Sequence, residues 1–112
     1  MSLYADYINE IDCGRKIIES NDYFVAYFIH PHGECYIEDM YIIPEKRKSG
    51  LCFEILRSIE EIAKSNNCKI LSHAIVKTHK NKDHVEGASV AFGFKFHSET
   101  ETEKNFIKEL YE

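Results

Sequence analysis

No apolar run in this 112-residue sequence approaches the length that a bilayer-spanning helix needs. The N-terminal Met-Ser-Leu-Tyr-Ala-Asp also lacks the basic and apolar regions of a secretion signal. Both absences predict a protein that stays where it is made, in the cytoplasm, with no membrane partner. There is no Cys-x-x-Cys pair either. Cys13, Cys35, Cys52 and Cys68 are scattered, which fits reduced thiols better than a disulfide framework. The histidine pairs His30/His32 and His79/His84 match neither one turn of a helix nor a Cys/His zinc set, so no metal is expected. A surplus of positive charge is missing as well. The formal net charge of −5 argues against a general nucleic-acid binder, whose phosphate affinity comes from clustered cations. Repeats and low-complexity linkers are absent. With 44% hydrophobic and 29% charged residues, the chain can bury one modest core, and residues 1–112 read as a single domain.

What is present reads as alternating local patterns. Leu3, Tyr7, Ile8, Ile11 and Ile17-Ile18 recur at roughly helical spacing, predicting a helix over residues 3–19 that is broken near Gly14. Tyr23 to His30 is rich in β-branched and aromatic residues, Pro31-His32-Gly33 is a turn, and Glu34 to Ile43 resumes as a strand, giving a β-hairpin. Pro44 ends it, having no N–H and restraining the residue before it. Leu51, Ile55, Leu56, Ile59, Ile62 and Ala63 mark the apolar face of a helix that ends at Asn66-Asn67, a pair suited to the left-handed conformation. Ile70 to Val76 suits a buried strand. Strand, helix and strand in this order predict a right-handed crossover with a parallel pairing. A polar loop over residues 77–83, a short helix over residues 84–91, and a closing hairpin of Phe94 to His97 with Phe106 to Tyr111 complete the prediction.

The segment joining the hairpin to the long helix carries the chemistry. A strand, a proline stop, a basic loop with Gly50 and a helix start together form an anion cradle. The first helical N–H groups lack partners, the helix dipole is positive there, and glycine lets backbone approach a ligand. Lys46, Arg47 and Lys48 add positive charge.

These residues resemble a known superfamily. The stretch Ile37 to Leu56 is similar to the acetyl-CoA-binding motif of GNAT N-acetyltransferases: an apolar-x-Pro strand end, then Arg/Gln-x-x-Gly-x-Gly/Ala and a helix. Here Arg47, Gly50 and Cys52 take the three signature places. Phe92-Gly93-Phe94-Lys95, followed by a turn and Phe106 to Leu110, resembles that superfamily's Gly-Phe strand and last hairpin. The resemblance implies a mixed α+β fold: a mostly antiparallel twisted sheet with a central parallel crossover and shortened N-terminal elements. It also implies acetyl-CoA as cofactor. The loop residues Arg47, Lys48, Ser49, Gly50, Leu51 and Cys52 would hold the pyrophosphate, and the strand backbone near Ile42 and Ile43 would pair with the pantetheine arm. Cys52 stands where a small residue is usual; a buried, inert thiol is the simpler expectation, against a helix start that would lower its pKa.

Acetyl transfer to an amine needs a neutral nucleophile and a proton for the departing thiolate. Glu38 and Asp39 are the candidates for the first task, since carboxylates in an apolar strand are costly without a role or partner. Their strand is similar to that of glucosamine-phosphate acetyltransferases, where acidic residues serve the acceptor amine. Glu38 is expected to act as base through water and Asp39 to orient the acceptor or a neighbouring loop, on opposite faces; the alternative is a solvated strand end or a salt bridge to the basic loop. The family's usual tyrosine, about four residues before the Gly-Phe glycine, is replaced by Ser89, and no tyrosine lies between Tyr41 and Tyr111. Ser89, His84 or water would supply the proton, or the thiolate would leave unaided. His73 is expected to be a hydrogen-bonded core residue, and Phe92, Phe94 and Phe96 to pack in the core and sheet. The short N-terminus implies an acceptor pocket that is open, favouring a protein lysine or N-terminus over a small amine, or closed by a second copy in a homodimer. Two functions stand: an acetyl-CoA-dependent N-acetyltransferase, or a weakly active or inactive module of that fold that binds CoA or a protein partner.

Overall fold

Apolar and β-branched residues at alternate positions of the middle segments commit the chain to a sheet with one covered face. The computed structural model of the protein describes residues 3–11, 15–47 and 49–110. Within them run helix α1 (Leu3–Ile11), strands β1 (Arg15–Glu19), β2 (Tyr23–His30) and β3 (Glu34–Ile42), a 3₁₀ turn (Pro44–Lys46), helix α2 (Leu51–Ser65), strand β4 (Ile70–Val76), helix α3 (Lys82–Phe92), and strands β5 (Lys95–Glu99) and β6 (Glu103–Glu109). The described strands form one sheet in the order β1-β2-β3-β4-β6-β5. All neighbours are antiparallel except β3 and β4, whose parallel pairing is the product of the α2 crossover. The mixed, mostly antiparallel fold and its central crossover are as expected.

The helix predicted across residues 3–19 is half of what forms. Arg15–Glu19 is a strand, pairing Ile17 with Ala26 and Ile18 with Val25. β-branched Ile17 and Ile18 lose less side-chain freedom on a pleated ladder than on a helix. The carboxamide of Asn9 on α1 donates to Ile17 C=O (3.2 Å) and accepts from Ile17 N–H (3.0 Å), so it caps the outer edge of β1. Cys13, Gly14, Lys48 and Tyr111 lie outside the described residues. The last hairpin also differs from expectation: β5 and β6 leave only residues 100–102 between them, Phe94 precedes the strand, and α3 begins at Lys82.

Residues paired across a ladder share a face, so Cys35 with Leu71, Ile37 with His73, and His73 with Phe106 lie on one side of the sheet. The buried stripe of α2, Ile55, Leu56, Ile59 and Ala63, packs on that side with Val25, Tyr27 and Phe94 in one core. α2 ends as its asparagines suggest: Asn67 takes φ 61°, and Cys68 N–H donates to Ala63 C=O at 2.9 Å. α3 ends at Gly93 (φ 119°), with Phe94 N–H donating to Ser89 C=O at 3.1 Å. Phe94 is thereby turned into the core at 2% exposure, whereas Phe96 on the edge strand β5 is 53% exposed and packs on the sheet, edge-on to Phe106 with ring centres 6.0 Å apart, rather than in the core.

Ile59 is fully buried between α2 and the sheet. Its replacement by alanine is expected to lower the unfolding free energy by about 2–5 kcal/mol, measured by urea denaturation.

Candidate functional site

β3 and β4 pair from Glu34↔Ile70 to Ile37↔His73, and then both strands continue unpaired with each other, β3 to Ile42 and β4 to Val76. The sheet is split there. Backbone phase tells which groups line the split. Ile43 N–H donates to Asp22 C=O (2.9 Å), so by alternation the N–H and C=O of Met40 and Ile42 point away from β2 and into the gap. On the other side, Leu110 N–H to Lys69 C=O (2.9 Å) and Lys77 N–H to Thr102 C=O (2.8 Å) commit the odd residues of β4 to β6, leaving Ala74 and Val76 to face the gap. The split begins at a β-bulge: Ala26 pairs with Asp39 and Tyr27 with Ile37, so Glu38 is the extra residue. Bulges bend a strand and increase its twist, which carries the end of β3 away from β4. Buried positions shift from Cys35 and Ile37 to Ile42 across it, a change of parity that the sequence already displays.

At the top of the gap stands the predicted anion cradle. Gly50 precedes α2 at φ 85°, and a Cβ there would meet nothing within 4 Å. Glycine is needed for the backbone angle, and the space above it is open. The first α2 bond is Glu54 N–H to Gly50 C=O (3.2 Å), so the amides of Leu51, Cys52 and Phe53 precede the intrahelical ladder and can serve an anion. Ser49 and Lys46 sit in the loop, the Ser49 hydroxyl donating to Lys46 C=O at 2.6 Å. Arg47 does not reach over the helix start. Its Nε donates to Ile42 C=O (2.8 Å) and its guanidinium lies 5.3 Å from the centre of the Tyr41 ring. Cys52 is half-buried, and burial pushes its thiol pKa up.

Both strand carboxylates are solvent-exposed beside the bulge, which breaks the alternation behind their expected opposite faces. Glu38 is held by a fork from Arg15 on β1, Nε to Oε1 at 2.8 Å and Nη2 to Oε2 at 3.0 Å. A salt bridge therefore forms, but with the far strand and not with the basic loop. Asp39 Oδ1 accepts from Met40 N–H at 3.0 Å. Beside them on the same strand, Tyr36 has a raised pKa, through burial first and then the charges of Glu103, Glu38 and Glu34.

At the apex of the gap, on the helix-covered side, His73 Nε2 lies 2.7 Å from Ser89 Oγ on α3. The ring is enclosed by Phe94, edge-on at 4.6 Å, and Phe106, stacked at 5.4 Å. This burial pushes its pKa down to about 4, a backbone hydrogen bond with Ala74 offsetting only part of the effect. Ser89 is buried, committed to His73, whereas His84 is exposed on the first turns of α3. The chain thus brings Glu38, Asp39, Ile42, Arg47 and Gly50 to one gap and sets Ser89 behind its apex. The sequence reading missed Arg15 as the partner of Glu38 and His73 as that of Ser89. An arginine one strand beyond the hairpin carries no local signal of its cross-strand partner; a histidine inside an apolar strand does.

A sequence model of the Acetyltransferase (GNAT) family matches residues 6–94, well over half of the chain. Among solved structures the fold is similar to an acetyltransferase from Thermus thermophilus (TM-score 0.75, 13% identity, covering 90% of this chain and 68% of that one). It is also similar to a Bacillus subtilis acetyltransferase in complex with CoA (TM-score 0.73, 9% identity, 95% and 84% covered). A third relative in fold is the PaiA N-acetyltransferase of Thermoplasma acidophilum in complex with coenzyme A (TM-score 0.71, 15% identity, 79% and 53% covered). No curated protein matches the chain at a significant level. Among the described residues, no helix is long and apolar enough to cross a membrane.

The His73 geometry sets a pH dependence. Its folded pKa of about 4 lies below the ordinary 6.5, so the folded protein binds fewer protons than the unfolded chain between those values. The stability it contributes is complete above pH 6.5 and is lost as pH falls toward about 4. Urea denaturation at stepped pH is expected to show this loss in the wild type, and a shallower loss between pH 6.5 and 4 in His73→Phe.

Proposed function

The chain belongs to the acetyltransferase (GNAT) family, and we propose that it binds acetyl-CoA in the β3/β4 gap and transfers the acetyl group to a primary amine. The observation that carries this reading is the juxtaposition of two features: a strand edge left open beyond Ile37 and a helix start with free amides around Gly50. An extended ligand with amide groups can add to the open edge as a strand would. A pyrophosphate at its far end would lie against the amides of Leu51 and Cys52, with Lys46 and Ser49 in the adjoining loop. Two of the structurally similar acetyltransferases carry CoA, which supports the same ligand class here.

The chain's own groups divide the remaining work. Glu38, at the bulge, would receive the proton of the acceptor amine through water. The Arg15 fork orients that carboxylate and occupies both of its oxygens. Asp39 would hold the acceptor ammonium. The thiolate's proton would come from water or from the Ser89 hydroxyl. A second reading, a CoA-binding module with little turnover, draws on specific geometry: Ser89 is buried against His73, and Glu38 is already paired.

A thermal-shift titration separates these readings from an unrelated role. Both CoA and acetyl-CoA are expected to raise the melting temperature, because a ligand that binds only the folded state stabilises it; no shift at saturating ligand would rule out both. Thiol release from acetyl-CoA with a panel of peptides and small amines then tests transfer. Glu38→Gln is expected to lower kcat by about 10²- to 10⁴-fold while leaving CoA binding intact, the usual range for a positioned base.

A further inference from the structure

The free edge of β3 is not empty of hydrogen bonds. Four backbone groups face the gap on this strand: the N–H and C=O of Met40 and of Ile42. Two of them already have partners from the chain's own side chains. Met40 N–H donates to Asp39 Oδ1 (3.0 Å), and Ile42 C=O accepts from Arg47 Nε (2.8 Å). The two side chains supply an acceptor opposite an N–H and a donor opposite a C=O. That is the polarity an extended ligand bearing amides would present along the same edge.

We propose that Asp39 and Arg47 form a latch that occupies the strand edge in the empty protein, and that entry of the two-amide arm of CoA displaces Asp39 from Met40. The inference rests on the CoA reading of the gap. The two contacts differ in consequence. A carbonyl oxygen has two lone pairs, so Ile42 C=O can keep Arg47 while accepting a second donor. An N–H has one hydrogen, so Met40 can serve Asp39 or the ligand, not both. Asp39 is therefore the exclusive half of the latch. Its release frees a carboxylate beside the bulge, next to Glu38, at the moment the cofactor arrives. A carboxylate engaged by its own backbone is a poorer partner for a cationic amine than a released one. Cofactor entry thus changes what the carboxylate beside Glu38 can offer to a cation.

Asp39→Ala removes the competitor together with a negative charge; Asp39→Asn removes the charge but keeps a side-chain oxygen that Met40 N–H can reach. Isothermal titration of CoA into the wild type and both variants is expected to show Asp39→Ala binding about fivefold more tightly than Asp39→Asn, the worth of one intramolecular hydrogen bond. In parallel, amide exchange of Met40 in the ligand-free protein is expected to be faster in Asp39→Ala than in the wild type, a readout that needs no cofactor. CoA added to the wild type should slow that exchange again. Equal CoA affinity in the two variants, or weaker binding by Asp39→Ala, would overturn the latch. If none of the three proteins binds CoA while Met40 exchange still depends on Asp39, the functional reading falls, and the latch as a cofactor device falls with it.

Discussion

Beyond Ile37 and His73, β3 and β4 each go on for several residues with one edge unpaired by the other. Backbone N–H and C=O groups are strong hydrogen-bonding groups, and leaving them unmet away from water is expensive. A sheet interior solves this by pairing, and a sheet edge solves it with solvent. The gap in this molecule is neither: it lies in the middle of a six-stranded sheet, with an apolar core directly beneath it. The bulge at Glu38 is what opens it, because one extra residue on β3 shifts the register with β2 and bends the strand away from its parallel neighbour while β2 and β3 stay paired on both sides of it. The same bulge puts the acidic pair at the apex. One local irregularity therefore creates both the backbone demand and the open space beside the acidic pair.

The two faces of the sheet meet this gap with different physics. On the covered face, α2, α3, Phe94 and Phe106 exclude water, and His73 at the apex is held uncharged by that exclusion. On the other face, Glu34, Glu38 and Glu103 surround Tyr36, and the electrostatics are those of exposed carboxylates. The Arg15–Glu38 fork belongs to this second regime. With Arg15 42% exposed, its contribution to folding stability is small, and its effect is local: it fixes where the carboxylate points. A cation approaching this face meets several carboxylates, one of them already engaged by Arg15.

Much of this was legible in the sequence where the physics is local. The apolar stripe Leu51 to Ala63, the proline stop at Pro44, the left-handed Asn67 and the hairpin turn at Gly33 each follow from properties of a few adjacent residues. The parallel crossover followed from element order. What was not legible depends on partners distant in sequence. Within residues 15–19, Ile17 and Ile18 fit helical spacing as well as a strand's, and only β2 decides between them. The bulge was written in the shift of apolar positions from Cys35 and Ile37 to Met40 and Ile42, but a shift of one is visible as a bulge only when a partner strand is in view. Among the candidate site residues, Gly50 and the helix start could be placed because backbone angle and helix polarity are local rules. The destinations of the Arg47, Asp39 and Ser89 side chains could not, since each is settled by competition between solvent and a specific nearby acceptor or donor.

That asymmetry between backbone and side chain also bears on how the site tolerates its unusual residues. An anion cradle made of amides needs φ near 85° at Gly50 and an unobstructed helix start, and neither depends on what side chain follows at Cys52, which is turned partly into the protein. A strand edge made of Met40 and Ile42 amides is equally indifferent to their side chains. Ligand binding can therefore persist under substitutions that would disable a side-chain site. Proton transfer has no such latitude. It asks for a group with the right basicity within hydrogen-bond reach, and here the carboxylate at the apex is forked by Arg15 while the hydroxyl behind it is spent on His73. On the proposed reading, binding would rest on the more robust material, and turnover would depend on whether a bound acceptor draws Glu38 out of its fork.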